Sequence, residues 1–135
     1  MDEIQAAVLR VLLPSLAARN ARREAIRDHY VTELRDRVPF VDASRAGARG
    51  VVHLCVARST RRDRLVADLH ARGVECAVHY PVPDHAQPVL AGARFRAGAL
   101  TQTERACREV FSLPCFPELT DDEVAAVVAG VRGCT

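Results

Sequence analysis

Two short runs, Val51 to Ala57, rich in β-branched residues, and Val74 to His79, flank a stretch long enough for one helix. Runs of this length and composition read as strands. Between them Leu65, Val66 and Leu69 supply one apolar helical face. Thr60-Arg61-Arg62-Asp63 is a weak start signal, and Gly73 sits where a glycine closes a helix. A strand–helix–strand unit this small cannot hide its apolar faces by itself. It requires a second layer of elements from the rest of the chain.

That layer is legible on both sides. Ile4, Val8, Val11 and Leu12 recur at helical spacing and place a first helix over Met1 to Leu13, which Pro14 ends or kinks. A second helix is expected from about Ser15 to Asp36, with Ile26, Tyr30 and Leu34 on one face. Val38 to Val41 reads as a short strand, and the small, Gly-containing segment Asp42 to Gly50 as a loop. Thr101-Gln102-Thr103-Glu104 and Thr120-Asp121-Asp122-Glu123 both have the form of a capping box and predict two more helices. The first presents Ala106, Cys107, Val110 and Phe111; the second presents Val124, Val127, Val128 and Val131. Ser112 to Phe116 between them is expected as an edge strand, because Pro114 cannot donate to a ladder. The order is α-α-β-β-α-β-α-β-α without an internal repeat. Residues 1–135 are expected to form a single domain of class α+β, a small, mostly antiparallel sheet with helices packed on one face.

Several function classes are excluded by composition. A net charge of +2 is too small to argue for nucleic acid as a partner. Arg19, Arg22, Arg23 and Arg27 fall on one helical face, but Glu24, Asp28 and Asp36 are interleaved, so this is read as a solvated face rather than a phosphate-binding stripe. No run reaches the roughly 18 apolar residues of a membrane span. Asp2, Glu3, Arg10 and Pro14 argue against a secretion signal at the first helix. The five cysteines contain no CxxC and form no structural-zinc pattern with His53 or His79. Cys55 and Cys76 lie in apolar runs and read as small core residues, which fits a reducing cytoplasm. No cysteine is marked as an activated nucleophile.

One compositional fact bears directly on chemistry. All nineteen basic residues are Arg, and the chain contains no Lys. No side chain can form a Schiff base, which requires a primary amine; only the α-amino group of Met1 offers one.

The segment Tyr80 to Leu100 is long for a connection in a compact domain, and it carries Pro81, Pro83 and Pro88. Loops of this length are more often functional than idle. His79 and His85 bracket its first part, with Tyr80 beside them. The plainer alternative has His79 ending a strand and capping the core while His85 is merely solvated, with Tyr80 in the core.

Four segments taken together resemble one family. Met1-Asp2-Glu3-Ile4-Gln5-Ala6-Ala7 is the first. Asn20-Ala21-Arg22-Arg23, followed by Tyr30, is the second. His79-Tyr80-Pro81-Val82-Pro83-Asp84-His85-Ala86-Gln87-Pro88 is the third. Ser112-Leu113-Pro114 with Pro117-Glu118-Leu119-Thr120-Asp121 is the fourth. In this order and at these separations they resemble the small C-terminal domain of DegT/DnrJ-type aminotransferases, pyridoxal-phosphate enzymes of nucleotide-sugar biosynthesis. The resemblance runs from Met1 to about Arg132. It implies transfer of an amino group from an amino acid to a nucleotide-linked keto-sugar, with His79, Tyr80 and His85 approaching the substrate. It also implies that the large domain, which carries the Schiff-base lysine and most phosphate contacts, is absent. This chain alone is accordingly expected to bind no pyridoxal phosphate and to be inactive. Its expected partner is a large domain, a full-length aminotransferase or a second copy of itself. The alternative is a non-catalytic interaction module that pairs with an aminotransferase or with a separate N-terminal half.

Overall fold

The computed structural model describes residues 1–41, 50–92 and 98–135. The loop expected over Asp42 to Gly50 lies, except for Gly50, outside the described residues, as do residues 93–97 of the long Pro-containing segment.

Helix α1 (Glu3–Leu12) starts on a capping box that the sequence reading had not singled out. Asp2 accepts from the Gln5 backbone N–H at 2.8 Å, and Gln5 reaches back to the Asp2 N–H at 3.3 Å. At Pro14 the chain tightens into a single 3-10 turn, Leu13–Ser15, and continues directly as α2 (Leu16–Leu34). Ile26, Tyr30 and Leu34 form the buried stripe of α2, as their spacing predicts. Helix α5 (Asp121–Arg132) opens on the expected Thr120–Glu123 box, and Val124, Val127, Val128 and Val131 are all buried. Helix α3 (Arg62–Ala71) ends before Gly73, whose φ of +79° is the left-handed closure that glycine permits.

The sheet is smaller than its sequence signals suggest, and its order differs. Strand β1 (Cys55–Arg58) pairs antiparallel with β2 (Val110–Leu113), Cys55 opposite Leu113 and Ala57 opposite Phe111. Phe40 bridges the outer side of β1 and Ala77 the outer side of β2, both antiparallel. The expected strands at Val38 to Val41 and Val74 to His79 are thus reduced to single bridges. The expected edge strand at Ser112 to Phe116 is instead β2, shifted two residues earlier and flanked on both sides. Pro114 falls just past it, where its missing donor does no harm. Val110 and Phe111 accordingly belong to this strand and not to the preceding helix.

Two predicted starts also fail. Helix α4 (Thr101–Glu109) begins at Leu100 with no side-chain cap, so Thr101–Glu104 is not a capping box. At α3, Thr60 does not cap either; Ser59 Oγ accepts from the Arg61 N–H at 3.1 Å. In both cases the residue that takes the N-cap position, Arg61 at α3 and Leu100 at α4, has no side-chain acceptor to offer the first turn.

Alternation along β1 and β2 separates two faces. Cys55, Ala57, Phe111 and Leu113 face the main core with Ile26, Tyr30, Leu34, Leu69 and Val131. Phe40 and Cys76 pack on its margin. Tyr30 is fully buried, and its hydroxyl donates to the Pro114 carbonyl at 3.0 Å, which satisfies both groups. Val56 and Ser112 point to the opposite face.

The arginine face of α2 is not simply solvated. Arg22 donates to the Leu119 carbonyl and to Asp121, each at 2.7 Å, and Arg19 pairs with Glu118, fastening α2 to the entry of α5. By contrast α1 buries none of its residues: Ile4 and Val11 are each 78% exposed.

Candidate functional site

The segment that follows the Ala77 bridge is held from two directions. Ala77 and Ser112 exchange both backbone hydrogen bonds, at 3.2 and 2.7 Å. His79 lies two residues on, at a bend just past this bridge. Its Nδ1 sits 3.0 Å from Ser112 Oγ. Because Ser112 is buried, this contact fixes the ring orientation from below. The His79–Tyr80 peptide is cis, and the two rings meet edge to face with centroids 5.8 Å apart.

Beyond Tyr80 the chain is braced rather than structureless. Asp84–Ala86 and Pro88–Leu90 form two 3-10 turns, and Gln87 Nε2 donates to the Val82 carbonyl at 3.1 Å. His85 is tied to a different element: its Nε2 lies 3.3 Å from Glu104 Oε1 on α4. The structure thus holds His79 and Tyr80 together at the sheet and seats His85 against α4. Tyr80 is 73% exposed and makes no hydrogen bond among the described residues, which removes the core reading for it.

This arrangement has a definite chemical capacity. Each imidazole has one nitrogen engaged by a protein partner, which orients the ring and leaves the other nitrogen available to a ligand. With Nε2–H given to Glu104, a neutral His85 presents Nδ1 as an acceptor; protonated, it donates there instead. His79 presents Nε2. The exposed Tyr80 hydroxyl stands beside His79, and each of these groups can hydrogen-bond a hydroxyl or phosphate oxygen.

Ser112 and Glu104, which position the two imidazoles, stand in the sequence reading only as parts of a family-like segment and of an expected capping box, not as partners of His79 and His85. The signal for Ser112 was present: it is the polar residue between Phe111 and Leu113, so period-two alternation puts it on the face away from the core. Glu104 carried no such signal, since its role depends on how α4 packs against the loop.

No lysine contributes here or elsewhere, and among the described residues no group of three or more His, Cys, Asp or Glu side chains could hold a metal ion. Cys55 and Cys76 are not poised as nucleophiles. Burial pushes Cys55 up to about 12 and Cys76 to about 11, so both stay protonated at neutral pH. Among the described residues no helix is long and apolar enough to cross a membrane.

Comparison with known proteins places these features in a wider set. The profile of the DegT/DnrJ/EryC1/StrS aminotransferase family matches residues 1–132. The dTDP-3-amino-3,4,6-trideoxy-alpha-D-glucose transaminase of Streptomyces venezuelae is 38% identical over 134 residues, 98% of this chain and 35% of that protein. The erythromycin biosynthesis sensory transduction protein EryC1 of Saccharopolyspora erythraea is 39% identical, over 98% of this chain and 36% of its own length. The crystal structure of S. venezuelae DesV in complex with a ketimine intermediate superposes with a TM-score of 0.91 at 37% identity, covering 98% of this chain and 36% of that one. NtdA of Bacillus subtilis, solved with its cofactor PMP bound, superposes with a TM-score of 0.77 at 26% identity, covering 88% and 29%. The chain therefore spans about a third of the length of the relatives it matches.

Proposed function

Because the chain belongs to the DegT/DnrJ/EryC1/StrS aminotransferase family, we propose that it is the small C-terminal domain of an enzyme that moves an amino group from an amino acid to a nucleotide-linked keto-sugar. The observation that carries this reading is the likeness to the S. venezuelae sugar transaminase across 98% of the chain.

The family works with pyridoxal phosphate, which when bound takes up and releases the amino group. The residues of this chain do not fit its covalent attachment. A Schiff base needs a primary amine, and with no lysine the only one is the Met1 α-amino group, at an exposed residue that precedes α1. In this reading the cofactor is held by residues outside these 135, and the chain alone is inactive. Its own contribution is to the substrate: His79, Tyr80 and His85 bind and orient the sugar nucleotide, and the braced segment from Pro81 to Leu90 limits water at that side.

The open apolar face of α1 is equally compatible with a second reading, a non-catalytic module that pairs with an aminotransferase. Both readings cover that face with aminotransferase surface, and they differ in turnover. The test is a chimera in which this chain replaces the matching third of the S. venezuelae transaminase. Amination of the keto-sugar by the chimera supports the enzyme reading; a folded chimera that binds cofactor but turns over no sugar supports the module.

A further inference from the structure

A polar cleft lies at the corner where β1, α2 and α4 end and α3 begins. Arg58 is the last residue of β1, Arg61 precedes α3, Arg105 and Glu109 lie one turn apart on α4, and Arg37 follows α2. All five line one open cleft of about 610 Å³. The corner is rigid: Arg58 N–H donates to the Pro39 carbonyl and Ser59 N–H to the Glu109 carbonyl, both at 2.9 Å. It involves neither His79 nor His85.

The charges in this cleft do not balance. Glu109 accepts from Arg58 at 2.7 and 3.1 Å and from Arg105 at 2.8 Å, so a single carboxylate serves two guanidinium groups. Arg105, and then Arg58, hold Glu109 below the usual carboxylate range, so it stays charged and keeps both arginines in place. Arg37 is matched by Asp36 at 3.3 Å. Arg61 has no ion-pair partner among the described residues. Among the described residues the side chains lining the cleft, Arg37, Arg58, Arg61 and Arg105 against Asp36 and Glu109, therefore carry a surplus of two positive charges. Thr135 also borders it.

We propose that this cleft is an oxyanion site that takes the phosphate group of a small phosphorylated ligand, with Arg61 as its principal contact and Arg58 and Arg105 as pre-oriented flanking donors. Guanidinium groups match phosphate oxygens with paired, charge-assisted hydrogen bonds. Arginines already held by Glu109 lose little freedom on binding. A concave wall focuses their field on the space between them. The α3 N-terminus, where no side chain caps the first turn, adds its dipole at the same corner.

The experiment is a titration of the 135-residue chain with inorganic phosphate, following the Arg Nε–H signals in 15N-labelled protein, with sodium chloride at matched ionic strength as the control. Saturable shifts at Arg58, Arg61 and Arg105 with phosphate, absent with chloride, are expected. Arg61→Gln, at an exposed position outside every ion pair in the cleft, is expected to raise the phosphate dissociation constant about tenfold or more. Arg64→Gln, on α3 but outside the cleft, is expected to leave it unchanged. Parallel titrations with pyrophosphate and a nucleoside diphosphate separate the sources: tighter binding of the nucleotide assigns a nucleotide, and equal binding assigns free phosphate. Shifts without saturation, equal shifts with chloride, or equal weakening by Arg61→Gln and Arg64→Gln would overturn the proposal.

Discussion

His79 Nδ1 and Ser112 Oγ lie 3.0 Å apart, joining the start of the proline-braced segment to a buried hydroxyl on the central strand. The contact makes the orientation of a site residue depend on the packing of β2. Ser112→Ala is expected to lower stability by about 1 kcal/mol, the ordinary worth of such a bond, and to free the His79 ring. The backbone pairing of Ser112 with Ala77 does not use the hydroxyl and should persist. Thermal melts and the His79 ring signals by NMR check this together. Unchanged stability with an unchanged His79 environment would show that the contact carries nothing.

Stability should fall on the alkaline side. Burial raises Cys55 to about 12 and Cys76 to about 11, and it raises Cys115 and Tyr30 as well. An unfolded thiol titrates near ~8.5, so above that pH the unfolded chain releases protons that the folded chain retains. The stabilisation is complete below about pH 8.5 and is lost as pH rises toward the folded values, at up to about 1.4 kcal/mol per pH unit for each thiol. Denaturant melts under reducing conditions between about pH 7.5 and 10.5 measure the slope. Cys55→Ala should make it shallower at some cost in stability at neutral pH, since Cys55 is only 1% exposed. A flat profile would contradict the burial of these thiols.

The cofactor claim has its own check. Incubation of the isolated chain with pyridoxal phosphate, borohydride reduction and peptide mapping should find no stoichiometric adduct except at the Met1 amine. An adduct on any internal peptide would contradict it.

Much of this was legible in the sequence for identifiable reasons. The valines of α5 and the Ile26, Tyr30, Leu34 stripe of α2 repeat at a helical period and pack accordingly. Gly73 closes α3 because the backbone there needs a positive φ. The family-like segments turn out to have local work as well: Asp2 and Gln5 cap α1, Tyr30 secures the Pro114 carbonyl, and Gln87 braces the loop. The failures were equally local. Val74 to His79 is apolar enough for a strand, but only Ala77 finds a partner. Thr101 to Glu104 has the letters of a capping box, yet the helix starts one residue early, with Leu100 at the N-cap position and no side chain capping it. The charge surplus around Arg61 was invisible because its arginines are scattered from Arg37 to Arg105 and meet only in the fold.

In the proposed enzyme the segment from His79 to His85 faces the sugar nucleotide. The most direct measurement follows the two half-reactions separately in the chimera with the S. venezuelae enzyme, with and without His85→Ala. Loss of one hydrogen bond of roughly 0.5–3 kcal/mol predicts a two- to hundredfold fall in kcat/KM for the sugar half-reaction. The half-reaction with the amino acid donor should change much less. Sugar turnover unaffected by His85→Ala, or equal losses in both half-reactions, would contradict this assignment of the segment.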